Sequence, residues 1–254
     1  MRRCFLIFPL LCLAAPLRAA DTPAAPPISA IVVEGRTNVP EATIREAFVL
    51  KVGDPAAAAR LEADRKALLA LGFFRNVVVS QQKNGNGVQI TFRVTELPRV
   101  VRAEISGNTV LDSASIRQVI STCVGQVLCV PQLQDDIRAI EMLYRERGYV
   151  ARVSEKLVDE AARNGVLEFE IREVRIDQLL VEGADSKLLD RARAVLKETP
   201  PALYRPEAVT LDQERLLKLH GVQDAVARVE TLGPGKVRLR WQLNPPVAAD
   251  GPGK

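Results

Sequence analysis

Few residues of this chain could carry out covalent chemistry. His220 is the only histidine among the 254 residues, so any Ser–His or Cys–His nucleophile would have to use it. Its place directly before Gly221 indicates instead a surface residue at the end of a helix. The acidic pairs Asp135-Asp136 and Asp159-Glu160 could in principle transfer protons, but we expect the first on a solvated helix face and the second in a turn. The sequence therefore predicts no catalytic residue and no enzyme.

The cysteines offer a second kind of chemistry. Of the four in the sequence, only Cys123 and Cys129 lie beyond the first twenty residues. Their spacing is not the Cys-x-x-Cys of redox motifs, and the single histidine leaves too few soft ligands for a four-ligand zinc site. In an oxidising compartment we expect these two to form a disulfide that closes a short loop, worth about 2 kcal/mol. Two free thiols and redox chemistry are the alternatives.

Binding of small molecules or nucleic acids has little support. No phosphate-binding glycine motif occurs at a strand-to-helix junction, so we predict no cofactor, no metal and no small-molecule substrate. The net charge is +4, but Arg2, Arg3 and Arg18 lie near the N-terminus, and without them 32 basic side chains face 31 acidic ones. Nucleic-acid binding needs a clustered basic surface, so we predict no nucleic-acid partner. With 47% hydrophobic and 26% charged residues, the chain is of the soluble globular class.

The N-terminus has the three parts of an export signal. Arg2 and Arg3 supply the charged region, Phe5 to Ala15 the apolar region, and Leu17-Arg18-Ala19 a cleavage site. We therefore expect a signal peptide over residues 1–19 and a periplasmic mature protein. An uncleaved inner-membrane anchor is one alternative.

The other terminal segments look unstructured. Residues 20–27 are a linker rich in Ala and Pro, and residues 246–254 are expected to be a disordered tail. A lipoprotein signal at Cys12 is a further alternative for the N-terminus. No later run of 18 apolar residues occurs, so no other segment is expected to cross a membrane as a helix.

The rest of the chain repeats itself three times. Each unit opens with a short alternating run that ends in glycine, at Gly35, Gly107 and Gly183. A second glycine follows after a helical pattern, at Gly72, Gly148 and Gly221. A strand-like run closes each unit, at Val88 to Val94, Val166 to Ile171 and Val237 to Leu243. Trp241 in the last run is expected to fill the core or an edge.

Two helices fit between the two glycines of each unit. Pro40 can open the first helix of the first unit, and Asp54-Pro55 can open its second helix. Pro131 and Pro206 can open the second helices of the next two units. Each unit thus has the order β-α-α-β-β. We predict the α+β class, with three tandem modules, each a three-stranded mixed sheet with two helices on one face and one strand edge left to solvent.

This pattern resembles the POTRA (polypeptide-transport-associated) domain family. The resemblance rests on Gly72-Phe73-Phe74-Arg75-Asn76-Val77, on the strand Val88 to Glu96 that follows, and on Gly107-Asn108-Thr109 before a helix. The third unit departs from it, because it lacks the Asn-Thr turn and has His220-Gly221-Val222 where an aromatic residue is expected. The expected domains are residues 28–97, 98–173 and 174–245.

The resemblance implies a role in outer-membrane protein assembly or secretion, as in the periplasmic part of BamA-like proteins. Such domains precede a β-barrel, and the nine residues after Pro245 are too few for one. The implied partners are therefore polypeptide clients or a separately encoded outer-membrane β-barrel protein, with only peripheral membrane contact. The alternative is an inner-membrane-anchored scaffold or division-type interaction protein that uses the same modules.

Carried over by position, the resemblance places the peptide-binding edges in the strand after each second helix. An unpaired strand edge can accept an extended peptide as an extra strand, with little demand on its sequence. The candidate residues are Val77, Val78 and Val79, then Ala151, Arg152 and Val153, then Ala225, Val226 and Ala227. The opposing interpretation is that charges such as Arg152, Glu155 and Arg228 only protect these edges from aggregation.

Overall fold

The computed structural model describes residues 25–122, 124–160 and 164–245. The expected signal peptide, most of the expected linker, Cys123 and the expected C-terminal tail lie outside these residues. The described part forms three modules. The first contains β1 (Ile28–Glu34), α1 (Glu41–Glu46), α2 (Ala58–Ala70), β2 (Phe74–Asn84) and β3 (Gly87–Glu96). The second contains β4 (Arg99–Ser106), α3 (Ser113–Val119), α4 (Val130–Glu146), β5 (Ala151–Glu160) and β6 (Asn164–Glu173). The third contains β7 (Arg175–Glu182), α5 (Ser186–Val195), α6 (Pro206–Leu217), β8 (Asp224–Gly233) and β9 (Lys236–Asn244).

The last strand of each module is the central one. The strand orders are β1-β3-β2, β4-β6-β5 and β7-β9-β8. The central strand runs parallel to the first strand and antiparallel to the middle strand. A hairpin supplies the antiparallel pair, and the parallel pair needs the long helical connection between β1 and β2 or its counterparts. The predicted α+β class, with three β-α-α-β-β modules and mixed sheets, is confirmed.

Each module has its own apolar core between helices and sheet. An aromatic residue of the central strand lies in the middle of each core, at Phe92, Phe169 and Trp241, all with 0% of their surface exposed. Trp241, expected to fill the core or an edge, fills the core. Large rings of this kind contribute much of the apolar area that stabilises small domains.

Proline opens two of the second helices as predicted. Pro131 lies in the first turn of α4 and Pro206 in the first turn of α6. The expectation for Pro55 is wrong, because α2 begins only at Ala58 while Pro55 pairs across an isolated β-bridge with Pro27. Among the described residues, no helix has both the length and the hydropathy required to cross a bilayer.

One buried aspartate in each second helix holds the end of the first helix. Asp64, Asp136 and Asp212 expose 1%, 1% and 0% of their surface. Each accepts backbone N–H groups 15 and 14 residues earlier in the chain: Val49 and Leu50, Ser121 and Thr122, or Lys197 and Glu198, at 2.7 to 3.1 Å. These N–H and carboxylate groups satisfy one another inside the protein, so neither carries the cost of unpaired burial.

The acidic pairs therefore lie elsewhere than expected. Asp136 is buried, which contradicts its predicted place on a solvated helix face, whereas Asp135 is exposed and pairs with Arg138. Asp159 and Glu160 are the last residues of β5 and not part of a turn.

In two modules a glutamate at the end of the central strand accepts hydrogen bonds from the turn after the first strand. Glu96 accepts the N–H groups of Thr37, Asn38 and Val39 at 2.8 to 3.0 Å. Burial opposes its ionisation, but these bonds outweigh it, and the pKa of Glu96 lies below its ordinary value. Glu173 does the same for Thr109 and Val110, which explains the Asn-Thr turn there. In the third module Pro245 occupies the equivalent position, so this carboxylate acceptor is missing.

Each sheet has two edge strands, and the unpaired side of an edge strand is called a border below. The prediction had only one such free edge in each module. The second border is formed by β1, β4 and β7. Its first residues are already paired, because the loop between the helices lies alongside them. Gly53 N–H donates to Ile28 C=O at 2.8 Å, and Gly125 N–H donates to Val100 C=O at 2.6 Å. The borders formed by β2, β5 and β8 have no such loop among the described residues.

The contact between the first and second modules (the first joint) differs from the contact between the second and third modules (the second joint) at equivalent positions. In the first joint, Val130 N–H donates to Gly72 C=O at 3.0 Å, and a Cβ on Gly72 would overlap the Pro131 ring. In the second joint Pro206 stands in place of Val130 and has no N–H to donate. A Cβ on Gly148 would meet nothing within 4 Å. A cavity of about 240 Å³ lies there.

We predict that Asp136→Ala lowers the free energy of unfolding by about 1–3 kcal/mol, because Ser121 and Thr122 lose their acceptor inside the protein. Asp135→Ala is the matched control one residue away, and its effect should stay within about 0.5 kcal/mol. Urea unfolding of both variants measures the difference. Equal effects would show that the buried carboxylate does not hold the helix pair.

We also predict that Gly72→Ala is more destabilising than Gly148→Ala. Both glycines have a left-handed backbone, with φ of 76° and 78°, so the conformational cost of a side chain is the same. Only Gly72→Ala also forces the methyl group against Pro131, which adds about 1–3 kcal/mol. Thermal unfolding of the two variants measures this; an equal loss would contradict a tight first joint and an open second one.

Candidate functional site

The strands β2, β5 and β8 form equivalent borders of the three sheets. Each is bonded to its central strand on one side, so one row of backbone N–H and C=O groups faces away from the sheet. The registers align the modules: Val79, Glu155 and Ala227 lie opposite Phe92, Phe169 and Trp241. The three borders can therefore be compared position by position.

Two hydrogen bonds show which residues turn their backbone outward. Val153 N–H donates to Glu141 Oε1 at 3.3 Å, and Ala225 C=O accepts from Gln213 Nε2 at 2.7 Å. Glu141 and Gln213 belong to the second helices, not to the central strands. Along an antiparallel strand, the backbone N–H and C=O groups point toward the partner strand and away from it at alternate residues. The backbone groups of Glu155 and Ala227, two positions further on, therefore also point outward.

The nine predicted edge residues fall into three groups. Three have side chains buried in the cores: Val77, Ala151 and Ala225. Three are partly buried against those cores: Val79, Val153 and Ala227. Three are exposed: Val78, Arg152 and Val226. Most of them can therefore offer a partner only their backbone groups. The exposed Val78 and Val226 lie on the sheet face opposite the helices, whereas Arg152 extends toward α4.

The border formed by β5 is already occupied by side chains of its own module. Glu141 of α4 accepts the Val153 N–H and also pairs with Arg152 at 3.4 Å. Gln134 of the same helix donates to the carboxylate of Glu155 at 3.4 Å. The sequence interpretation named Arg152 and Glu155 as protective charges but missed Glu141, because nothing in its local pattern distinguishes it from other polar residues of α4.

Ion pairs cross the sheet face opposite the helices in the third module. In the third module Arg238 pairs with Glu230 at 2.9 Å, and Arg240 pairs with Glu182 and Glu230 at 3.2 and 3.1 Å. These ion pairs join all three strands across the sheet. Exposed pairs contribute little stability, but they keep this face hydrated. The candidate site is thus the strand border and not the open sheet face.

Comparison with known proteins identifies the modules. The POTRA family model, described as surface antigen variable number repeat, matches residues 26–97 and 98–176, which is more than half of the chain. This chain belongs to the POTRA family. The first two modules carry the family's sequence pattern.

The third module shares the POTRA fold. The N-terminal domain of Omp85 from Thermosynechococcus elongatus superposes with a TM-score of 0.67 at 23% identity, covering 87% of this chain and 97% of that one. POTRA1-3 of the periplasmic domain of Omp85 from Anabaena superposes with a TM-score of 0.70 at 20% identity, covering 88% and 96%. At these identities the likeness concerns the fold.

A curated relative is much longer than this chain. The outer membrane protein assembly factor BamA of Nitratidesulfovibrio vulgaris is 31% identical over 106 residues, or 41% of this chain. That alignment spans 13% of the relative. The likeness to that protein therefore concerns POTRA modules and not its whole length.

The residues first considered for chemistry lie apart from the borders. His220 is exposed beyond the end of α6, and its carbonyl accepts from Arg191 at 3.3 Å. The Sγ of Cys129 lies 3.7 Å from the Leu71 carbonyl oxygen, and Cys129 has no disulfide partner among the described residues. Its predicted partner Cys123 is outside the described residues, so the disulfide stays a prediction. The described ranges contain no cluster of His, Cys, Asp or Glu that could hold a metal ion.

Proposed function

We propose that this protein binds extended segments of other polypeptides along its free strand borders during outer-membrane protein assembly or secretion. One observation carries the proposal: β2 and β8 present outward backbone groups at the same position of a repeated fold. A peptide strand placed there would complete a fourth strand through main-chain hydrogen bonds. Membership of the POTRA family and the likeness to BamA, an assembly factor, support this role.

The borders suit clients of many sequences. Main-chain groups are the same in every peptide, so affinity arises without selection of particular side chains. Unfolded β-strands of barrel proteins alternate apolar and polar residues, which matches a border with a core-facing side and a hydrated side. The proposed partners are such clients, or an outer-membrane β-barrel protein.

The proposal includes the place of action. Removal of residues 1–19 would release the three domains, over residues 28–97, 98–173 and 174–245, into the periplasm next to the outer membrane. No enzymatic step is part of the proposed function, since binding and guiding an unfolded chain requires only a surface.

We predict that proline substitutions at the border separate free from occupied edges. Val79→Pro and Ala227→Pro each remove an outward N–H without touching a bond of the sheet, and the double variant should weaken binding at least about tenfold. Glu155→Pro should have little effect, because the β5 border is already covered by α4. The measurement is fluorescence anisotropy of a labelled ten-residue peptide in which leucine alternates with polar residues.

The control peptide has the same composition with its leucines in one block, and circular dichroism checks that each variant stays folded. Equal affinity of the wild type and the double variant for the alternating peptide would contradict binding at the strand borders.

A further inference from the structure

We propose that the second half of β8 is a recognition site for an extended polypeptide segment that carries one large apolar side chain and an acidic residue two positions away. This inference rests on the border-binding function proposed above and assigns it to one place in the chain. It also gives the site a side-chain preference that backbone pairing alone would not provide.

The backbone of this part of β8 is free to pair. Ala227 and Val229 follow Ala225 at intervals of two, so their N–H and C=O groups point away from β9. Within the described ranges, no hydrogen bond reaches these outward groups. The α6 helix covers only the start of the border, through the bond between Gln213 and Ala225. A peptide strand can therefore pair here without displacing a side chain, in contrast to β5, where Glu141 would have to leave.

An apolar groove runs beside the same residues. Its volume is about 490 Å³, within the range of ligand pockets, and apolar walls predominate. The lining includes Val150, Val174, Tyr204, Val229, Thr231 and Val237. The groove therefore lies between the second and third modules, and residues of both modules form its walls. Burial raises the pKa of Tyr204, which agrees with a poorly hydrated wall.

The groove is specific to the third module. By register, Val229 lies opposite Leu239, and its counterparts are Gln81 opposite Ile90 and Leu157 opposite Leu167. Gln81 is polar and exposed, and Leu157 packs against its own core. Val229 points to the helix side of the sheet but keeps 43% of its surface exposed. A partner that covers this valine would bury apolar surface that the module itself leaves open.

The rim of the groove is positively charged. Arg152 and Lys236 both line it, with 65% and 62% of their side-chain surface exposed. Their partners are Glu141 at 3.4 Å and Asp177 at 3.1 Å. Both cations are themselves exposed, so these pairs contribute little and either cation can turn toward a carboxylate on a ligand.

The position of the acidic residue follows from strand geometry. Side chains of an added strand alternate between the helix side and the open side. A large apolar residue on the helix side enters the groove, and the next residue on that side is two positions away, near the charged rim. Arg152 and Lys236 line the groove at this rim, and their long side chains can reach a carboxylate at that position.

The test uses three labelled ten-residue peptides and the full chain. The parent peptide is rich in threonine and carries a central phenylalanine with glutamate two positions later; the others replace phenylalanine by alanine or glutamate by glutamine. We expect the alanine peptide to bind at least about tenfold more weakly, because it leaves the groove unfilled. The glutamine peptide should bind a few-fold more weakly at low salt, and this difference should vanish for the variant Lys236→Gln.

Protein variants locate the effect. Val229→Asp should weaken the parent peptide about tenfold and remove the difference between phenylalanine and alanine. Val52→Asp is the matched control, an exposed valine of the first module, and should change nothing.

Two outcomes distinguish failure of the groove assignment from failure of border binding. If the phenylalanine and alanine peptides bind equally while Ala227→Pro still weakens both, the groove assignment is wrong and border binding stands. If Ala227→Pro also leaves binding unchanged, the third border is not used, and both assignments fail there.

Discussion

A carboxylate buried in each second helix is the interaction on which each module depends. Asp64, Asp136 and Asp212 hold the chain as it leaves the first helix, at the same separation of 14 and 15 residues in every module. This fixes the two helices as one layer against the sheet. Because the layer covers a single face and the hairpin strand lies at the side, one long border remains unpaired.

The repeated glycines, the prolines and the alternating strands were enough to predict the fold, because backbone geometry and apolar periodicity are local properties. Helical spacing places Asp136 on the same stripe as Leu133 and Ile140, but an acidic residue is expected to stay exposed unless it has partners inside the protein. Its partners, the N–H groups of Ser121 and Thr122, belong to another element and were not predictable from local sequence. The same limit applies to Glu141 and Glu96, whose partners lie on other elements. Pro55 misled the prediction because a β-bridge to Pro27 competes with helix initiation.

The three modules share one fold, but their exposed strand borders differ. In the second module α4 covers the border with Glu141 and Gln134, whereas in the third module the hydrogen bond from α6 to the border ends at Ala225 and a groove lies beyond it. A border that pairs freely is also an aggregation hazard, so covering one while leaving another open restricts where a client can add. Val150 and Val174, which line this groove, lie next to the more open second joint.

The most direct measurement is photo-crosslinking in the cell envelope, with a photoreactive residue at Val78, Ser154 or Val226, which occupy the same position of the three borders. We expect photoreactive residues at Val226 and Val78 to capture unfolded outer-membrane barrel polypeptides, identified by mass spectrometry, and one at Ser154 to capture far less. Equal capture at all three positions, or capture only of inner-membrane division proteins, would contradict this expectation.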